Sequence, residues 1–113
     1  MSIKILATGS ALPEKSLSNI ELAEMVETND EWIRSRTGIS SRHVCVDETI
    51  SDLAASAAAK ALAKSGLDVG EIDLILCSTI SGDYTTPSLS CIVGLRLGAK
   101  CPAIDLNAAC AGF

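Results

Sequence analysis

Cys110 is the residue of this chain best suited to chemistry, by its type and by its neighbours. Ala108, Ala109, Ala111 and Gly112 keep its surroundings small, so a substrate carbonyl could approach. A cysteine reacts as its thiolate, and a helix N-terminus favours that form. The apolar run Ala103 to Leu106 reads as a strand and a helix is expected to open near Cys110, which places the thiol at a strand-to-helix junction. There its backbone N–H could act as an oxyanion donor. The same residues also fit a small buried hydrophobe, and the local sequence leaves both readings open. The chain stops three residues later, at Phe113, so acid–base partners are expected from elsewhere. His43 is the only histidine and the only residue that could form a Cys–His pair.

The elements that must position this cysteine are legible from caps and periodicity. Residues 3–8 (IKILAT) read as a first strand ending at Gly9-Ser10. Ser18-x-x-Glu21 is a capping box for a helix with Leu22, Met25 and Val26 on one face. Thr28-x-x-Glu31 is a second box, opening a short helix that carries Trp32, Ile33 and Arg36 and ends at Gly38. Residues 39–49 read as a loop or small hairpin. Residues 51–65 are an alanine-rich helix, capped by Ser51 or Thr49 and stopped by Gly66. Asp73 to Ile80 is nearly all apolar and β-prone, the pattern of a strand covered on both faces. After a polar loop, Pro87 fits the first position of a helix with Leu89, Ile92, Val93 and Leu97, stopping near Gly98. The order predicts an α/β chain with three parallel strands and flanking helices. So small a sheet leaves an apolar edge and face uncovered, and predicts aggregation or unfolding of the chain on its own.

Bulk properties exclude several classes. The 113 residues suffice for one domain at most, and 48% hydrophobic content is ample for a core. With only Trp32, Tyr84 and Phe113 as aromatics, that core must be aliphatic. A net charge of −5 argues against nucleic acid and against an anionic membrane surface. The N-terminus has no long apolar region and reads as a strand, not a signal peptide, and no run approaches the length of a membrane span. Five cysteines without CxxC spacing argue against a disulfide framework or a zinc site and for a reducing cytoplasm. Cys45, Cys77, Cys91 and Cys101 read as structural thiols, and TGS at 8–10 falls far short of a nucleotide-binding loop.

Three blocks in order carry a resemblance: ATGSALPEKSLSN near the start, DEWIRSRTGISSRH at 30–43 and DLNAACAGF at 105–113. Together they resemble the N-terminal third of the 3-oxoacyl-[acyl-carrier-protein] synthase III family, condensing enzymes that initiate bacterial fatty-acid synthesis. The resemblance implies a thiolase-like fold, of which residues 1–113 are an incomplete first half ending just after the nucleophile. It implies that Cys110 takes an acyl group from acyl-CoA and condenses it with malonyl-acyl-carrier protein, losing carbon dioxide. A His and an Asn beyond the matched segment assist, so the full condensation needs a C-terminal remainder. It further implies a homodimer with no metal or redox cofactor.

By the same resemblance Trp32 stacks on the CoA adenine, Arg36 holds the nucleotide end and Thr28 lies nearby. The chemistry suits them, since an indole binds a purine face and a guanidinium pairs with phosphate. Thr28 is equally explained as a helix cap, and Trp32 as core. Thr86, just before Pro87, would line the acyl pocket, where a small residue leaves room for primers longer than acetyl; it is equally explained as an N-cap. His43 becomes a structural or solvent-facing residue. Two other readings stay open: a truncated, non-catalytic interaction module, and a related polyketide or quinolone condensing enzyme.

Overall fold

Short polar side chains start the helices and glycines end them. The computed structural model describes residues 2–113, which gather into two compact units. One comprises Leu12–Glu48, the other Thr49–Phe113 together with the residues up to Ala11.

In the Leu12–Glu48 unit, β1 (Ser16–Ser18) pairs antiparallel with β2 (Ser41–His43). The expected small hairpin segment at 39–49 is thus one strand of this pair, and His43 lies in the strand and not in a loop. Helix α1 (Asn19–Ala23) starts with the expected Ser18–Glu21 box. It ends earlier than its apolar spacing implied: Met25 and Val26 lie beyond it and are exposed. Helix α2 (Asp30–Thr37) is capped by Asn29, whose side chain accepts from the Trp32 N–H at 2.8 Å. This corrects the expected Thr28 cap. Both residue types can cap, but Asn29 is one residue nearer and reaches the N–H three positions on. Gly38 closes α2 with φ 72, a left-handed conformation that glycine adopts freely.

The centre of this unit is polar. Asn19 is almost fully buried, and its amide donates to Asp30 Oδ1 and to the Ile39 carbonyl, both at 2.7 Å. Its carbonyl accepts from Arg42 Nη2, while its own backbone N–H donates to the Ser40 carbonyl at 3.0 Å. Much of the 30–43 block is therefore structural: Asp30, Ile39 and Arg42 serve the buried Asn19 side chain and Ser40 its backbone N–H, groups that would be costly to leave unsatisfied.

In the larger unit, α3 (Ile50–Ser65) starts at Thr49 with Asp52 completing a capping box and ends at Gly66. A 3-10 turn follows at Val69–Glu71. Strand β3 (Ile75–Ser78) then pairs parallel with β4 (Ala103–Leu106), joined by the crossover helix α4 (Leu89–Leu97). Helix α4 contacts both strands and α3, and Arg96 reaches across to Asp52 at 2.7 Å. Leu89, Val93 and Ala55 form the buried apolar centre. The cap of α4 is Ser88, which accepts from the Cys91 N–H, so Pro87 precedes the cap instead of opening the helix.

Two expectations about the sheet change. Residues 3–8 form no strand, because no strand pairs with their backbone; Ile3 and Ile5 are 97% and 81% exposed. The parallel sheet accordingly has two strands among the described residues. Moreover, β3 and β4 are covered on one face only. Ile75, Cys77, Ala103 and Asp105 are half-buried, whereas Leu76, Ile104 and Leu106 are exposed. The continuous apolar run marked a strand with two faces to cover, and only one has a helix on it.

Candidate functional site

Cys110 lies just past the C-terminal end of β4, on the side of an open α/β sheet where ligand sites form. The α-helix expected there is replaced by one 3-10 turn, Ala109–Ala111. Its bonds run from Ala111 N–H to Ala108 O at 2.9 Å and from Gly112 N–H to Ala109 O at 3.1 Å. The segment thus closes on the i to i+3 spacing of a 3-10 turn. Ala109 has φ 46, a left-handed value that costs an alanine about 1 kcal/mol or more. The result is a sharp turn on which Cys110 is exposed. Gly112 explains how the turn sits so close to the strand: a Cβ there would lie 2.1 Å from Ser78 Oγ and 3.2 Å from Ser78 Cβ. A side chain there would have to turn the Ser78 hydroxyl aside and press on Ser78 Cβ at the end of β3.

Two aspartates, neither singled out by sequence, hold the framework around this turn. Asp105, on β4, accepts from the Leu89 and Ser90 N–H groups, both at 2.8 Å. Asp83 does the same for α3, accepting from Ile50 N–H at 2.9 Å and Ser51 N–H at 2.8 Å. Partial burial raises the Asp105 carboxyl's pKa, but hydrogen bonds from Ser90 and Leu89 outweigh it and leave the group below its ordinary range. Asp83 is also held low, chiefly by Ser51 and then by the Ile50 N–H. Burial and the nearby Asp105 charge push the Cys77 thiol up, in keeping with a structural role. Thr86 lies three residues past Asp83 and is exposed; with Ser88 as the cap, the N-cap explanation for Thr86 is removed.

The Leu12–Glu48 unit brings the other candidates together. Trp32 is 52% exposed on α2, so it is not core. The Arg36 guanidinium lies over its ring, 4.7 Å from the centroid, one helical turn away. Thr28, Glu27, Asn29 and Trp32 line a recess of about 240 Å³. His43 Nδ1 donates to the Pro13 carbonyl at 2.7 Å, a structural tie consistent with the role expected of it. Cys110 and Thr86 belong to one unit, Trp32, Arg36 and Thr28 to the other.

Comparison with known proteins decides the family resemblance. Beta-ketoacyl-[acyl-carrier-protein] synthase III of Clostridium acetobutylicum is 50% identical over 113 residues, covering 99% of this chain and 35% of that protein. Over its whole length this chain is similar to about one third of a beta-ketoacyl-[acyl-carrier-protein] synthase III. The structure of 3-oxoacyl-[acyl-carrier-protein] synthase III from Aquifex aeolicus superposes with a TM-score of 0.93 at 43% identity, over 97% of this chain and 36% of that one. A priming β-ketosynthase of the R1128 polyketide pathway superposes with a TM-score of 0.91 at 41% identity, over 97% of this chain and 34% of that one. The α/β architecture is thus the N-terminal part of the thiolase-like fold of synthase III. No family model matches the chain. No helix among the described residues is long and apolar enough to cross a membrane.

Proposed function

We propose that this chain carries the acyl-accepting cysteine and part of the CoA entrance of a synthase III condensing enzyme, acting in the initiation of fatty-acid synthesis. The observation that carries the reading is the exposed Cys110, held on a sharp turn at the C-terminal end of a parallel strand pair in a chain half identical to synthase III. In the first step the Cys110 thiolate attacks the thioester carbonyl of an acyl-CoA. A new S–C bond forms, the C–S bond to CoA breaks, and CoA leaves as its thiolate, to be protonated. The Cys110 N–H is the chain's own candidate donor to the oxyanion, since the hydrogen bonds that close the turn begin one residue later, at Ala111. In the second step malonyl-acyl-carrier protein loses carbon dioxide, and the resulting carbanion attacks the acyl carbon and releases Cys110. That step needs the remaining two thirds of a synthase III, so the chain alone is expected to stop at the acyl-enzyme.

Trp32 and Arg36 fit the CoA entrance. The guanidinium covers one face of the indole and leaves the other for a purine, and Glu27 and Thr28 offer acceptors for its amino edge. Thr86, exposed and free of a capping role, is the candidate wall of the acyl pocket, and its size favours primers longer than acetyl. The complete enzyme is expected to be a cytoplasmic homodimer; five unpaired thiols suit a reducing compartment. A polyketide-priming role is the second reading, favoured by the likeness to the R1128 enzyme, whose chemistry at the cysteine would be the same.

The test is intact-mass and peptide-mass analysis of the chain after incubation with acetyl-CoA and butyryl-CoA. Mass gain of one acyl group on the Cys110 peptide, absent from Cys110→Ser, is expected, with Cys45 and Cys91 as exposed internal controls. Equal acylation of all exposed cysteines, or none, overturns the assignment.

A further inference from the structure

We infer that Ser78 is a positioning residue for Cys110, the seat on which the cysteine turn rests through the bare backbone of Gly112. This rests on the reading of Cys110 as the acyl acceptor and adds a residue from a different strand to it.

The two ends come together through the sheet. Ser78 is the last residue of β3 and pairs in register with Leu106, the last residue of β4. The next ladder bond, Thr79 N–H to Leu106 O at 3.1 Å, carries the pairing one residue further. From Leu106 the chain advances through Asn107 and Ala108 and turns back sharply at Ala109, where φ is 46. The turn returns Gly112 to the end of β3, where a methyl group would meet the Ser78 side chain. Two contacts therefore define where the Cys110 backbone sits: the i to i+3 bonds within the turn, and the Ser78 side chain beneath Gly112. The Ala109 O also lies 3.3 Å from the Cβ position at Gly112, a second close neighbour on the backbone side.

A thiol that must attack one carbonyl face while its own N–H meets the developing oxyanion needs this backbone fixed to a fraction of an ångström. A small alkylating reagent needs only an exposed sulfur. The two reactions of Cys110 therefore separate positioning from mere exposure and folding. Rotation of the Ser78 hydroxyl could relieve its own clash with an added methyl at Gly112, but the Cβ contact at 3.2 Å remains.

The experiment compares wild type, Gly112→Ala, Ser78→Thr, Ser78→Gly and the double variant Gly112→Ala with Ser78→Gly. Two rates are read on the Cys110 peptide of the 113-residue chain: acylation by butyryl-CoA and alkylation by iodoacetamide. Gly112→Ala and Ser78→Thr are expected to lower the acylation-to-alkylation ratio by about 10- to 100-fold, the scale of a misplacement near 1 Å. Removing the Ser78 side chain beside Gly112→Ala is expected to return most of the loss. Amide exchange at Ala111 and Gly112 reads the seat without acyl transfer: faster in the single clash variants and slower again in the double. A wild-type chain that is acylated while Gly112→Ala keeps the same ratio overturns the inference, as does a double variant no better than the single. A wild-type chain that is not acylated overturns the Cys110 reading instead, and the exchange data then judge the seat alone.

Discussion

The uncovered face of the β3–β4 pair should govern how the isolated chain behaves. Leu76 and Ile104 are cross-strand partners on that face and are 57% and 54% exposed. Leu106 shares it, and Leu74 and Ile80 flank it and are exposed as well. An exposed apolar face of this kind drives association between copies. The chain alone is therefore expected to associate, to bind the dye ANS and to melt broadly. Leu76→Lys with Ile104→Glu removes about 200 Å² of exposed apolar surface, up to about 5 kcal/mol per copy. Both copies of a dimer carry the change, so if a quarter of their combined total of about 10 kcal/mol is realised in association, the dissociation constant rises about 70-fold. The opposite charges sit side by side within one chain, so they do not destabilise the strand pair. Sedimentation velocity across a range of micromolar concentrations measures the shift. A wild-type chain that stays monomeric, ignores the dye and melts in one sharp step would refute the reasoning, as would a double variant that associates as tightly as wild type.

Other perturbations probe the caps and the carboxylates. Asn29→Ala should cost α2 about 1 kcal/mol, seen as faster amide exchange at Ile33 and a shift in Trp32 emission, while Thr28→Ala should leave both nearly unchanged. Asp105→Ala removes two short N–H bonds at the start of α4 and should cost about 2 kcal/mol by exchange in that helix, with Asp105→Asn losing less. Backbone N–H groups of Glu14 and Val46 hold the Glu48 carboxyl at about 2, against an ordinary 4.5. Thr49, and then Arg96, hold Asp52 at about 2, against 3.8. Both folded values are lowered, so their stabilisation is complete above the ordinary values and is lost as the pH falls toward 2. Far-ultraviolet dichroism should be flat above pH 5 and decline below about 4.5. Glu48→Gln should lose the part of that decline that belongs to the Leu12–Glu48 unit.

What the sequence made legible was local, and what it hid was long-range. Ser18–Glu21 and the glycines at 38, 66 and 98 announce helix ends because cap and helix lie within four residues of each other, whereas the sequence leaves the cap of α3 open between Ser51 and Thr49 and the structure selects Thr49. Residues 3–8 have strand composition, but a strand exists only with a partner, and none pairs with them here. Asp83 reaches α3 across more than thirty residues and Asp105 reaches α4 across fifteen, so no spacing rule could have linked either to its helix. The cysteine turn was hidden for a different reason: Ala109 carries a left-handed backbone value that its residue type disfavours, so composition pointed to a helix instead. That mismatch is informative. A conformation opposed by local preference persists only where tertiary contacts over-determine it, and the contacts that do so here are the Ser78–Gly112 approach and the turn's own hydrogen bonds. The strained residue, Ala109, and the tightly packed one, Gly112, stand on either side of Cys110, so the two features that fix this turn bracket the cysteine.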